Sequence, residues 1–196
     1  MSDETNAGGG RLPLLTPDVL EPAQGKIHAR MMAEQVPWAT ESGFEAATAD
    51  GRLLGPFNAL LYAPEAGQAY LDYFAAEKDN TTLTERVHEI VILTVGAAWQ
   101  SAYELYAHAA VGKKAGLPEP VIRAIVAGRA PEGLSEEEDC AYEFTRQLAV
   151  DRRVDLPTYA RAARAFGPKG VADIVMLAGL YLMTCAVLNA FEVPVP

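Results

Sequence analysis

The stretch TERVHEIVILTVGAAWQSAYELYAHAAVGKKAGLP, residues 84–118, decides the fold of this chain. Residues 90–99 are apolar on nearly every face, which predicts a buried central helix. Ser101-Ala102-Tyr103-Glu104 has the spacing of a capping box and predicts the start of a second helix. Two lysines and a glycine close this second segment, as is typical of a helix C-terminus. The stretch therefore predicts a central helical hairpin, 83–99 and 101–115.

Further helices are predicted on both sides of the hairpin. Proline and glycine divide the rest of the chain into helical segments, and none has the alternating pattern of a strand ladder. Residues 35–63 are interrupted by prolines and glycines, so we expect a long irregular loop or lid there. The sequence predicts an all-α fold of about eight helices, and the segments outside the hairpin are 17–34, 64–77, 118–127, 135–150, 156–166 and 169–191.

Length and composition favour a single domain over residues 11–196. The chain has 196 residues and a formal net charge of -10, which argues against binding to nucleic acid or to anionic membrane. Residues 1–10 are polar and Gly-rich without the pattern of a signal peptide, and predict a disordered tail. The longest apolar run, 174–188, is shorter than the ~20 residues of a membrane span, so we expect a core helix in a soluble, cytoplasmic protein.

The two cysteines, Cys140 and Cys185, lie on separate predicted segments. They form neither a CxxC redox pair nor a set of zinc ligands, and we expect both to be buried thiols. Histidines 28 and 88 are interpreted as ordinary polar surface groups. One histidine among carboxylates matches no standard metal site, so the sequence predicts neither a metal nor a cofactor.

The candidate chemistry lies on the hairpin. Glu104 and His108 are four residues apart on one predicted helix, so their side chains share a face. A carboxylate beside an imidazole fixes its tautomer and raises its pKa, as general acid–base catalysis requires. Glu89 lies on the preceding helix, which folds back towards His108, and Tyr103 adds a phenol. The interpretation without catalysis makes Glu104 part of a helix cap, Glu89 a surface partner of Arg86 and His108 a core histidine.

Residues 83–128 resemble the carboxymuconolactone decarboxylase family, which shares its fold with the alkylhydroperoxidase AhpD-like proteins. The pattern Tyr-Glu-x-Tyr-Ala-His, residues 103–108, followed by Ala-Gly-Leu, residues 115–117, carries the resemblance. The flanking segments 50–67, 144–148 and 171–196 resemble the longer members of the family. The resemblance implies an AhpD-like fold that self-associates as a trimer or hexamer, with sites near subunit interfaces.

The hydroperoxidase branch of this family carries a glutamate, a CxxC pair and a histidine at fixed spacing. Counting back from His108 places the two cysteine positions on Ser101 and Glu104, and the glutamate on Glu89. Peroxide reduction needs one thiolate to attack and a second thiol to resolve the product. The resemblance therefore disfavours an alkylhydroperoxidase or peroxiredoxin-like activity for this chain.

The decarboxylase branch has a Glu-x-x-x-His at the positions of Glu104 and His108, which implies acid–base chemistry without a cofactor. We expect a lyase that acts on a small carboxylated lactone or related enolisable acid of aromatic compound catabolism. His108 is the expected proton donor, oriented by Glu104 or Glu89, and Tyr103 the expected donor to the developing oxyanion. The expected substrate-binding residues are Ser101, Arg52, Phe57 and Asn58.

Two alternatives stay open at this stage. The segment that contains Arg52, Phe57 and Asn58 departs from the shorter lactone decarboxylases, so isomerisation, dehydration and lactone hydrolysis are further candidate reactions. The other alternative is a non-catalytic ligand-binding member of the family, in which the hairpin residues are only caps and core.

Overall fold

The computed structural model describes residues 8–196. A 3-10 turn, Pro17–Val19, precedes the first α-helix, and a π-helical turn, Gln147–Asp151, follows the seventh. Extended pairing in the described part of the chain is limited to one bridge between Ala47 and Leu53. The all-α prediction is confirmed, and the eight helices of residues 8–196 are α1 (Pro22–Ser42), α2 (Pro56–Leu61), α3 (Pro64–Asn80), α4 (Glu85–Ala98), α5 (Ala102–Lys114), α6 (Glu119–Val126), α7 (Glu136–Arg146) and α8 (Leu156–Ala190).

Helix α4 lies at the centre of the fold. It packs against α5, α6, α7 and α8, and all of its residues from 89 to 96 are buried. Gly96 allows the close approach of α5, because a Cβ at this position would lie 3.1 Å from Leu105. The chain then turns at Gln100, which has a φ of 52°, and enters α5. The predicted central hairpin is confirmed.

Helix α8 joins the two helices predicted at 156–166 and 169–191. Gly167 has non-helical angles (φ 66°, ψ 177°) and is followed by Pro168, so the helix is kinked at this point. By length and composition alone α8 is apolar enough to cross a membrane, but half of its most apolar window is buried in the fold. Ile174 and Leu177 are fully buried, as expected of a core helix.

The segment between α1 and α3 is more ordered than predicted. Helix α1 continues through Pro37 to Ser42, and α2 forms inside the expected loop. An internal proline removes one helical hydrogen bond. Here the helix persists because its inward face is buried along its whole length, and this face consists of Ile27, Met31, Gln35, Ala39 and Ser42. Tertiary packing overrides the local signal.

The N-terminal segment docks on the end of α8. Residues 1–7 of the predicted tail lie outside the described residues, whereas residues 8–10 form a turn. The backbone N–H of Arg11 donates to the Phe191 carbonyl at 2.7 Å. A Cβ at Gly10 would lie 2.3 Å from that carbonyl oxygen, so the contact requires glycine. Residues 8–10, which fall in the predicted tail, thus form a turn that packs on α8, and glycine permits this close packing.

Candidate active site

A cleft of about 480 Å³ opens between α1, α3, α4, α5 and α8. Behind it lies a cavity of about 30 Å³, lined mainly by apolar and aromatic side chains. Four residues border both spaces: Trp38, Phe74, His108 and Tyr181. His108 therefore stands at the boundary between a cleft with many ionisable side chains and an apolar cavity. The ionisable lining of the cleft consists of Glu77, Lys78, Glu85, His88, Glu89, His108, Lys114 and Tyr181.

The ring of His108 is held between two carboxylates. Its Nδ1 lies 2.8 Å from Oε2 of Glu89 on α4, and its Nε2 lies 3.3 Å from Oε1 of Glu104 one turn earlier on α5. Each of these three side chains is 6% exposed or less. Because an ionised carboxylate only accepts hydrogen bonds, Nδ1 donates to Glu89 and Nε2 faces Glu104. Both predicted carboxylates thus contact the ring.

Burial and charge set the protonation of these groups. Burial raises the pKa of Glu104 to about 7, and the nearby His108 offsets this only in part. Burial disfavours the charged form of His108, but Glu89 and Glu104 outweigh it, so the pKa of His108 is raised. Burial also disfavours ionised Glu89, but His108 and His88 outweigh it, so the pKa of Glu89 is lowered. The cluster holds an ionised carboxylate beside an imidazolium, with a carboxyl group that changes charge near pH 7.

His88 extends this cluster, although the sequence pattern did not predict a role for it in the site. Its Nε2 lies 3.0 Å from Oε2 of Glu77 on α3, and its Nδ1 lies 3.5 Å from Oε1 of Glu89. Although burial disfavours the charged ring, the two carboxylates raise the pKa of His88 to about 9. The interpretation of His88 as ordinary polar surface is wrong. The available signal was its place directly before Glu89 on the helix predicted to be buried.

The comparisons with known proteins agree with this architecture. Residues 64–147 match the sequence profile of the carboxymuconolactone decarboxylase family. The chain fits the carboxymuconolactone decarboxylase family. The matched segment runs from α3 to the start of the π-helical turn and contains every carboxylate and imidazole of the cluster. No protein of curated function matches the sequence significantly.

Solved structures extend the likeness to nearly the whole chain. An uncharacterised peroxidase-related protein from Ralstonia eutropha JMP134, with an alkylhydroperoxidase AhpD core, has a TM-score of 0.75 and 16% identity over 96% of this chain and 93% of its own. A peroxidase-related protein from Silicibacter sp. TM1040 has a TM-score of 0.73 and 15% identity over 96% and 92%. A debrominase in complex with 2,3,4-tribromopyrrole has a TM-score of 0.70 and 13% identity over 95% and 94%. These likenesses show an AhpD-like fold.

Tyr103 does not have the position predicted for it. Its hydroxyl donates to the backbone carbonyl of Glu45 at 2.6 Å. Its ring packs against Gly55, where a Cβ would lie 2.4 Å from ring atoms. Because its O–H is already used, Tyr103 is not free to donate to a developing oxyanion. Tyr181 lies closer to the chemistry, with its ring centroid 5.0 Å from that of His108.

Two of the predicted substrate-binding residues fasten loops instead. Asn58 accepts a hydrogen bond from the backbone N–H of Leu15 and donates to the carbonyl of Pro13, so it holds the N-terminal segment in place. Arg52 pairs with Asp50 within its own turn, at 2.9 Å. Both lie outside the described lining of the cleft and of the cavity. The prediction that they bind substrate is not supported by these positions.

The other two predicted binding residues are buried. Ser101 begins α5 but is completely buried, and its hydroxyl lies beside the Cys185 thiol. A substrate anion in the cleft therefore does not reach it, contrary to the prediction. Phe57 borders the small apolar cavity, so it shapes the space behind His108.

Both thiols are buried, as predicted. Cys140 and Cys185 are 0% exposed, in an apolar cluster formed by α4, α7 and α8. Burial also raises the pKa of Cys185, which disfavours its thiolate. Neither thiol borders the described cleft or cavity. In residues 8–196 no group of three or more His, Cys, Asp or Glu side chains is placed to hold a metal ion.

Proposed function

We propose that this protein is a lyase of the carboxymuconolactone decarboxylase family that uses acid–base chemistry without a cofactor. Its substrate is a small carboxylated lactone or a related enolisable acid. The observation that carries this proposal is the position of His108 between Glu89 and Glu104, at the boundary of the cleft and the apolar cavity. An imidazole oriented by a carboxylate next to a substrate-sized space is typical of a general acid or base.

The charges of the three groups suit the required proton transfers. Loss of carbon dioxide from a carboxy-lactone leaves an electron pair that spreads onto the lactone carbonyl oxygen as an enolate, and the reaction ends when a proton is added to carbon. Imidazolium His108, with its Nδ1–H held by Glu89, supplies that proton from Nε2 and becomes neutral. Protonated Glu104 lies 3.3 Å from Nε2 and restores the proton. The carboxylate left on Glu104 then takes up a proton from water, so the proton consumed by the decarboxylation comes from solvent.

Two lysines at the cleft support an anionic substrate. Lys78 on α3 and Lys114 on α5 border the cleft that His108 reaches. We assign to these lysines the attraction of the substrate carboxylate, in place of Ser101 and Arg52. Neutralising both lysines should weaken binding of a carboxylated ligand and reduce the dependence of binding on salt.

Both alternatives account less well for this site. A thiol peroxidase needs thiols at the cleft, whereas the two family positions hold Ser101 and Glu104 and both cysteines are buried. A protein that only binds a ligand or provides a scaffold gains nothing from two carboxyl groups buried around one imidazole ring. Burying such groups costs free energy unless their function repays it.

A ligand screen tests the proposal. Carboxylated lactones and aromatic-degradation intermediates are added in a thermal-shift assay, where a ligand at about 100 times its Kd stabilises by roughly 2.7 kcal/mol. Ligands that stabilise the protein are then assayed for release of carbon dioxide. We expect release by the wild type and retained binding without release by His108→Gln. Stabilising ligands that the wild type leaves intact would favour a binding protein.

We also propose that the protein is a homo-oligomer, a trimer or hexamer, and that it acts in the cytoplasm. The apolar residues 90–95 of α4 are buried within the chain and offer no surface for self-association. Helix α8 exposes Val175, Met176 and Met183, each by more than 40%. Light scattering on the purified protein should give the mass of three or six chains, and a monomer at micromolar concentration would contradict this.

A further inference from the structure

Five ionisable side chains form a continuous row that begins outside the predicted site. The row runs through Glu77, His88, Glu89, His108 and Glu104, and its successive nitrogen–oxygen distances are 3.0, 3.5, 2.8 and 3.3 Å. Helix α3 supplies the first group, α4 the next two and α5 the last two. Carboxylates and imidazoles alternate, so each histidine lies between two carboxylates.

Glu89 is the junction of this row. Its Oε2 lies 2.8 Å from Nδ1 of His108, and its Oε1 lies 3.5 Å from Nδ1 of His88. The side chain is only 6% exposed, so water does not compete freely for either oxygen. Because each oxygen faces a different ring, the position of His88 restricts rotation of the carboxylate that orients His108.

Glu77 holds His88 in this position from another helix. The distance between Nε2 of His88 and Oε2 of Glu77 is 3.0 Å, within hydrogen-bond range. The Glu77 side chain is 5% exposed, so its charge acts on the ring with little screening by water. The contact ties α3 to α4 and favours the cationic form of His88.

We propose that Glu77 and His88 are positioning residues for the acid–base group. Glu77 fixes His88, and His88 occupies one oxygen of Glu89 and leaves the other oxygen for His108. The positive charge of His88 also competes with His108 for the charge of Glu89, so His108 releases its proton more readily. This inference rests on the proposed function for the role of His108.

Charged and titratable groups from four helices surround His88. Those that share the cleft with it are Glu77 and Lys78 of α3, Glu85 and Glu89 of α4, His108 and Lys114 of α5, and Tyr181 of α8. Among the described residues, the carboxylates within 4 Å of its ring nitrogens are those of Glu77 and Glu89. A change in the titration of His88 therefore reports chiefly on these two partners.

A titration of the histidine rings by NMR tests this proposal without a substrate. The chain has three histidines, so selective ¹⁵N labelling gives three sets of ring signals. His28 contacts the carbonyl of Gly51 outside the cleft and serves as the internal reference. In His88→Gln a neutral amide replaces the ring and can still donate to Glu77. We expect the midpoint of His108 to rise by about half a pH unit or more, because a nearby positive charge is lost.

Two further variants separate positioning from a purely structural role. His88→Lys restores a positive charge and should return the midpoint of His108 towards that of the wild type. Glu77→Gln should lower the midpoint of His88, and it provides the test if His88→Gln does not fold. A His108 midpoint that stays unchanged in His88→Gln, or a His88 midpoint that stays unchanged in Glu77→Gln, would overturn the proposal. Ring titration does not depend on turnover, so it can fail while the lyase activity stands.

Discussion

Oε2 of Glu89 accepts a hydrogen bond of 2.8 Å from Nδ1 of His108, across the hairpin formed by α4 and α5. The two residues are 19 positions apart in the sequence, and the turn at Gln100 brings their helices side by side. This bond fixes the tautomer of the ring, so Nε2 is the nitrogen that exchanges protons. The acid–base account of this protein depends on that assignment.

Replacement of Glu89 by glutamine tests what the carboxylate does for the ring. The charge of Glu89 raises the pKa of His108 in the wild type. We expect the pKa of His108 in Glu89→Gln to fall, because the neutral amide no longer stabilises the imidazolium. Histidine NMR measures the change, and the pH profile of turnover should move in the same direction.

Glu85→Gln is the matched control for that variant. Glu85 lies on the same helix and borders the same cleft, but its side chain is exposed. It should leave the His108 titration where it is in the wild type. Equal shifts in the two variants would mean that general cleft charge, not the bond to Glu89, controls the ring.

Glu104→Gln should change how stability depends on pH. In the folded protein the pKa of Glu104 is raised from 4.5 to about 7 by burial. The contribution of a group with a raised pKa is complete below its unfolded value and is lost as the pH rises through its folded value. When the pH rises from 5 to 8, the free energy of unfolding of the variant should therefore increase by about 2–3 kcal/mol relative to that of the wild type. Denaturant unfolding at the two pH values measures this.

The exposed Glu137→Gln provides the comparison for Glu104→Gln. Glu137 lies on α7, away from the cleft, so the free energy of unfolding of this variant should change with pH as that of the wild type does. If the stability of Glu104→Gln has the same pH dependence as that of the wild type, ionisation of Glu104 costs the folded protein no stability. Its assignment as the group that restores the proton to His108 would then be incorrect.

The two thiols should be inert in the native protein. Cys140 and Cys185 are fully buried, so peroxide should not convert them to a disulfide. Mass spectrometry after peroxide treatment should give the mass of the reduced chain. Alkylation should label both cysteines only after unfolding in guanidinium chloride. A Cys140–Cys185 disulfide formed under native conditions would revive the peroxidase alternative.

Tyr103→Phe should lower stability rather than act on the chemistry directly. The variant removes the O–H that donates to the Glu45 carbonyl. Loss of a partly buried hydrogen bond of this kind costs about 1–2 kcal/mol. Urea unfolding measures the loss, and Tyr181→Phe is the comparison because its ring contacts His108. Unchanged stability together with a large fall in turnover would restore the oxyanion role expected for Tyr103 from the sequence.

The hairpin and its three acidic and basic groups were predictable because local patterns encode them. The spacing of Glu104 and His108 puts them on one helix face, and the apolar run before Trp99 identifies the buried partner helix. The turn between the two helices then brings Glu89 on the first helix close to the ring of His108 on the second. Each of these inferences uses residues that are close in the sequence.

The remainder depends on contacts between distant segments. Glu77 reaches His88 from a different helix, and Tyr103 is held by a backbone carbonyl, which carries no signature in the sequence. Helix α1 passes through Pro37 because its buried face outweighs the lost hydrogen bond. The Ser-x-x-Glu pattern correctly predicted the start of a helix at Ser101, but it did not predict that the serine would be completely buried.

The most direct test of the central claim is the turnover of His108→Gln on a carboxylated lactone that the wild type decarboxylates. Loss of a general acid or base typically lowers the rate by about 10²–10⁴-fold, and we predict a fall of that size with an unchanged far-UV circular dichroism spectrum. His28→Gln is the control, since His28 contacts a loop carbonyl and should retain the wild-type rate. Turnover of His108→Gln within about threefold of the wild type would contradict the role of His108 as the proton donor.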